Sequence, residues 1–300
     1  MLNRNQNLNQ GVTGIGSEMS TESINKMGKH RTTTIVLSVV LLLLLVSTLF
    51  PLYWMVTTSL RGEASVLKTT IDLWPRRPSL HNYVDVWQSG PFARYFLNSV
   101  VVSAVVVLGN LLFASMVGYA IARRQFRGKR LVIVAIVSML MVPRQITMIP
   151  LYLLISKFHM MNTYFALTLP FLVDAFNVFL ISQYVISLPV ELEEAARVDG
   201  ASDVSIFFRI VLPLSRPALA VVAINTFLVN WNSFLYPLIL TNTERMRTLP
   251  VGLALYSQGE HSVDWGHLTA GSTLCAVPII IVFLLFQRHI IEGITAGAVK

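Results

Sequence analysis

The sequence predicts an all-α polytopic membrane protein with six transmembrane helices, and three observations lead there. First, 54% of its 300 residues are hydrophobic and 13% are charged, against about 45–50% and about 25% in soluble domains. Mean hydropathy is +0.63. Second, the apolar residues gather in runs of about 20, the length of helix that crosses a bilayer core. Third, the net charge of +8 is carried between those runs, as in loops on the cytoplasmic side of a membrane. No stretch interleaves aromatic and basic residues like an RNA- or DNA-binding face. Lipid, and no nucleic acid, is the expected partner. Cys275 is the one cysteine, so no intrachain disulfide can form.

Residues 1–34 are rich in Asn, Gln, Ser, Thr and Gly and have no helical or alternating period, which predicts a polar tail. The membrane domain then fills 35–300. Its first span, 35–58, outruns the roughly 7–15 apolar residues of a signal peptide and lacks a small-x-small cleavage site, so it is read as an anchor. Residues 61–96 hold Pro75, Pro78 and Pro91 with Trp74, Tyr83, Trp87 and Tyr95, a composition suited to the membrane interface. The second span covers 98–122. The third, 131–150, is expected to kink near its outer end at Pro143 and Pro150, with an amphipathic piece following to Asn162. The fourth, 164–186, contains Asp174 and Asn177. The fifth, 217–241, contains Asn225, Asn230, Trp231 and Asn232, and the sixth covers 269–286 before a short Gly-rich tail.

Orientation follows from counting. With the N-terminus inside, inner segments hold 14 Lys and Arg and outer segments hold 9, and five of the inner ones crowd into residues 123–130. Both termini are therefore expected in the cytoplasm. So is a polar island at 189–213, which divides spans four and five. Pro189 suits the opening of a helix, Glu191, Glu193 and Glu194 complement its positive end, and Gly200 suits a left-handed C-cap. Ser202 is placed to cap a second short helix and Pro213 to stop it.

Within this island Glu194, Ala195, Ala196, Gly200, Ile210, Leu212 and Pro213 resemble the EAA loop of ABC-importer permeases. The run 118–123 (Gly-Tyr-Ala-Ile-Ala-Arg) and the ending from Gln287 to Lys300 resemble the carbohydrate-uptake, maltose-type branch of that family. The likeness covers about 35–300. It implies a type I ABC importer permease fold in a prokaryotic cell membrane. It also implies a second permease subunit, an ABC ATPase dimer that binds ATP and Mg in place of this chain, and an extracytoplasmic sugar-binding protein. By the same resemblance, Glu194 anchors the loop on the ATPase and Ala195 and Ala196 permit close approach. Gly200 supplies the turn, and Ile210, Leu212 and Pro213 tie the loop to span five.

Read without the resemblance, the chain shows no catalytic set. G-x-x-x-x-G-K-[ST] is absent, as are H-E-x-x-H and G-x-S-x-G, and His261 and His267 have no companion ligands for a metal. This predicts a transport subunit with no cofactor or metal of its own. Asp174, Asn177, Asn225, Asn230 and Asn232 are costly in lipid and must face helices or a water-filled pathway. One reading gives them to sugar hydroxyls, with Trp231 and Tyr236 as apolar ring faces; the plainer reading gives them to interhelical hydrogen bonds. A different class of function, an ion-coupled carrier or channel, would make Asp174 the coupling residue.

Overall fold

The computed structural model describes residues 34–62, 73–88, 90–256 and 265–298. The predicted tail, apart from residue 34, lies outside the described residues. Two compact units emerge, Met1–Thr57 and Thr58–Lys300. The first is represented by all but the last two residues of α1, Thr34–Ser59, a helix whose apolar length fits a membrane anchor. Inside it, Thr48 returns its hydroxyl to the carbonyls of Leu44 and Leu45, so the helix carries a polar side chain without an unmet donor.

Among the described residues every regular element of the second unit is helical. In chain order these are α2 (His81–Gln88), α3 (Phe92–Arg123), α4 (Lys129–Met141), α5 (Met148–Lys157), α6 (Tyr164–Thr168) and α7 (Ala175–Ser187). There follow α8 (Glu191–Val198), α9 (Asp203–Leu214), α10 (Arg216–Trp231), α11 (Leu235–Leu240), α12 (Leu249–Tyr256) and α13 (Trp265–Ala298). Among the described residues four helices are long and apolar enough to cross a membrane: Thr34–Ser59, Phe92–Arg123, Tyr164–Ser187 and Trp265–Gln287. Two bent pairs, Lys129–Met141 with Arg144–Lys157 and Asp203–Leu214 with Arg216–Trp231, bring the total to six.

The breaks depart from the predicted spans. The third span kinks at Pro143 as expected, but sharply. It turns by 101° after Met141, because Val142 precedes a proline and is extended at φ −86, ψ 120. The fourth passes through a 3-10 turn at Leu169–Phe171 and an extended Asp174 before α7 begins. The fifth is not one helix. It unwinds at 232–234, since continuing to Pro237 would need a backbone N–H that proline lacks. Pro213 does not stop α9 either. The preceding turn, Phe207–Val211, widens to π winding and places Pro213 in a fresh first turn, where no N–H is required. The chain then bends by 79° at Ser215. Beyond Gln287 the expected tail continues as helix to Ala298.

The core joins α3, α7, α9 and α10 through Tyr119, Ile181, Val185, Ile206, Phe207, Val211 and Val222. Gly118 lets α3 and α7 approach: a Cβ there would lie 2.8 Å from Ile181 Cγ2 and 3.0 Å from the Val178 carbonyl. A second cluster sets Trp231 among Val86, Phe92, Tyr95, Leu249 and Ala270, tying α10 to α2, α3, α12 and α13. Large apolar side chains such as Leu131, Met141 and Leu285 point outward. That is the arrangement expected when the outer solvent is hydrocarbon.

Candidate functional site: a coupling helix and a central cavity

Two features lie at opposite ends of α7. Past its C-terminus comes α8. Val190 is the N-cap and its carbonyl accepts from the N–H groups of Glu193 and Glu194, so the helix opens at Glu191, later than a Pro189 start would give. Glu193 turns inward and is 2% exposed. Its carboxylate accepts from Arg123 Nε at 2.7 Å and from the Tyr119 hydroxyl at 3.1 Å. The same guanidinium donates through Nη2 to the Leu188 carbonyl at 2.7 Å, fixing the link between α7 and α8. Glu194 and Ala195 face away from the bundle, and Ala196 is half-buried against its core.

Gly200 closes α8 at φ +82, the left-handed conformation that favours glycine. Its N–H donates to the Arg197 carbonyl at 3.0 Å, and the next N–H reaches Ala196 at 2.9 Å. Ser202 Oγ accepts from the Ser205 N–H at 3.3 Å and opens α9. Arg124 pairs with Asp203, whose carboxylate raises the already high guanidinium pKa further. Ile210 and Leu212 are half-buried and Pro213 is exposed at the end of the same unit. Sequence reasoning singled out Glu194 and missed Glu193, Arg123 and Tyr119. A cation closing an apolar span beside a Glu-rich helix was the signal available.

At the other end of α7 lies a cavity of about 510 Å³. The helix breaks build it: Arg144 and Thr147 come from the turn between α4 and α5, Phe171 and Asp174 from the approach to α7, and Tyr236 from α11. Asp174 caps α7, accepting from the Phe176 N–H at 2.9 Å, while its own N–H donates to Asn110 Oδ1 at 2.9 Å. Its other oxygen takes Arg144 Nη2 at 2.5 Å. Asn177 is 1% exposed and donates to Asn110 Oδ1 at 2.9 Å and Thr226 Oγ1 at 2.8 Å. Asn225 and Asn230 also line the space; Asn230 Nδ2 donates to the Thr226 carbonyl at 2.8 Å.

Two predicted pathway residues are elsewhere. Trp231 is 2% exposed, its Nε1 donates to the Cys275 carbonyl at 3.0 Å, and its ring packs on Phe96 and Phe227. Burying so large a ring outweighs exposing it beside water. Asn232 is exposed and folds back on the Leu228 carbonyl where α10 frays. The aromatic wall is Tyr236 with Phe171, edge to face at 5.0 Å between ring centres. Asn110, Arg144 and Thr147 were not foreseen. Among the described residues no group of three His, Cys, Asp or Glu could hold a metal ion. His267 instead meets Asp85 at 3.3 Å, and His261 lies outside the described residues.

A helical membrane bundle with a polar cavity between broken spans and a short acidic helix past one of them is the build of a transport component. The comparisons agree. The family described as the binding-protein-dependent transport system inner membrane component matches residues 111–295, and the chain belongs to it. It is 41% identical over 254 residues to the arabinooligosaccharides transport system permease protein AraQ of Halalkalibacterium halodurans, covering 84% of this chain and 91% of that one. It is 35% identical over 265 residues to the trehalose/maltose transport system permease protein MalG of Thermococcus litoralis, covering 86% and 94%. A solved bacterial ABC transporter involved in the import of the acidic polysaccharide alginate superposes with a TM-score of 0.78 at 25% identity, covering 86% of this chain and 96% of that chain. The chain is thus a multi-pass membrane permease of the ABC importer type, a transport subunit rather than an enzyme.

Proposed function

We propose that the chain is one of two permease subunits of an ATP-driven, binding-protein-dependent importer of carbohydrate in a prokaryotic cell membrane, with both termini in the cytoplasm. Its partners are a second permease, an ATPase dimer that binds ATP and Mg, and an extracytoplasmic protein that delivers the sugar. The arabino-oligosaccharide and trehalose/maltose permeases among its relatives support the cargo class.

One observation carries the coupling role: α8 is locked to the bundle by a buried carboxylate while its neighbouring carboxylate is presented outward. A helix fixed in this way moves with α3 and α7 when pushed. Outward-facing Glu194 and Ala195 meet a groove of the ATPase, with Ala196 behind them, in helix-in-groove docking. Gly200 turns the chain, and Ile210, Leu212 and Pro213 carry the motion into α10. ATP-driven closure of the ATPases then draws the two coupling helices together and opens the cavity to the delivering protein, and hydrolysis resets it.

The test is ATP hydrolysis by the reconstituted assembly, with and without sugar-loaded binding protein, in wild type and Gly200→Asp. Stimulation in wild type that vanishes in an assembled mutant supports coupling through this turn. An ion-coupled carrier using Asp174 predicts uptake that follows a proton gradient and ignores Gly200. It is disfavoured because Asp174 already has Arg144 as its counter-ion.

A further inference from the structure

The charge of the central cavity is set by one pair. Of the described residues that line it, only Arg144 and Asp174 carry charge, and they face each other at 2.5 Å. The remaining polar lining is amide and hydroxyl. Asn225 and Asn230 use their Nδ2 groups within the protein, which leaves amide oxygens to accept from a ligand's hydroxyls. Phe171 and Tyr236 add an aromatic wall. The volume falls within the roughly 300–1,000 Å³ usual for ligand sites.

Resting on the carbohydrate reading above, we propose that this cavity admits uncharged oligosaccharides and rejects acidic ones, and that Asp174 sets the preference by occupying the Arg144 guanidinium. A guanidinium is the side chain best shaped to take a carboxylate in a two-pronged grip. Left free, Arg144 would make the cavity a site for uronic acids. With Asp174 on it, an incoming carboxylate meets a like charge and must displace a tethered partner, which is a repulsive element of specificity. The tether is visible on both sides. Asp174 is pinned as the cap of α7 and through its N–H to Asn110. The Arg144 carbonyl is held by the Tyr236 hydroxyl at 2.6 Å and by Thr147 Oγ1 at 2.8 Å. The Asp174 carboxylate therefore cannot swing away without giving up its cap on α7, while the contacts at Arg144 fix its backbone beside the cavity. The pair is also open to the cavity, with side chains 52% and 26% exposed, so a ligand would feel it.

Asp174→Asn isolates the charge, because asparagine caps a helix about as well as aspartate. The experiment measures equilibrium binding of labelled arabinotriose and digalacturonic acid to the purified assembly of both permeases and the ATPase, with no binding protein to pre-select the sugar. Wild type is expected to hold arabinotriose and to bind digalacturonate about tenfold or more weakly. Asp174→Asn is expected to gain about tenfold for digalacturonate, one charge-assisted hydrogen bond's worth. That gain should fade in about 0.5 M salt, and it should exceed any change in arabinotriose binding. Adding Arg144→Gln to Asp174→Asn should abolish the gain. A pair that only fastens the α4–α5 turn to α7 predicts no change in selectivity in any of these. That result, or a gain that survives the double substitution, overturns the proposal. If Asp174→Asn fails to assemble, Arg144→Gln alone reads the same charge with the opposite sign: a cationic glucosamine disaccharide should gain, and no gain overturns the proposal. A wild-type assembly that binds neither arabinotriose nor digalacturonate would overturn the carbohydrate reading itself, and this inference with it.

Discussion

At one end of α7, Glu193 and Arg123 meet with side chains 3% and 12% exposed; near its other end, Asp174 and Arg144 meet at 26% and 52%. Each pair joins an acid to an arginine distant in sequence. The surroundings make them different objects. Away from water, a lone charge has no other source of stabilisation, so the first pair must stay whole, and losing one partner costs about 3–5 kcal/mol. Where water reaches both groups, a pair is worth about 0–1 kcal/mol and can be rearranged cheaply. Burial thus assigns one end of the helix to transmitting force and leaves the other responsive to what enters the cavity.

The largest effect that tests this contrast is Glu193→Ala, expected to destabilise the purified protein by about 3–5 kcal/mol and to lower its thermal midpoint accordingly. Arg144→Ala should cost no more than about 1 kcal/mol in the same measurement. Equal losses would erase the distinction. Next comes the contact between the helices that carry the buried pair. Gly118→Val forces atoms into Ile181 and should cost about 1–3 kcal/mol, read by thermal unfolding; no loss would mean that α3 and α7 give way easily. Gly200→Ala finds open space but a left-handed backbone, so its penalty should be about 1 kcal/mol. Its effect on ATPase stimulation should exceed its effect on unfolding. The smallest shift belongs to Asp174→Asn, within about 1 kcal/mol by the same assay.

Much of this was legible in the sequence. Apolar runs of spanning length marked the helices, and the Glu-rich turn, Gly200 and Ser202 marked α8, its exit and the cap of α9, because these signals are local. What lay hidden was relational. Glu193 and Glu194 are chemically identical neighbours, and only the presence of Arg123 and Tyr119 beside α8 decides which one is buried. Asp174 was marked as anomalous, but Arg144 lies thirty positions earlier in a turn whose direction depends on a 101° bend. Trp231 was expected, with Tyr236, to offer an apolar ring face to a sugar. Its face is set instead by where α10 meets α3 and α13. The π turns at Asn110–Ala114 and Phe207–Val211 shift the side-chain register by one residue, and no propensity announces them.

The straight stretch between the two ion pairs has a mechanical consequence. α7 spans 13 residues, so it is a rod about 20 Å long at 1.5 Å per residue. One tip carries the acid of the cavity, and the carbonyl just past the other is gripped by Arg123. Pivoted at the gripped tip, a tilt of about 5° carries the far tip about 1.7 Å on that length. A displacement of that size is more than half the 2.5 Å now separating Arg144 from Asp174. A small rotation at the Arg123 end, if it points away from Arg144, therefore stretches the pair at the other end.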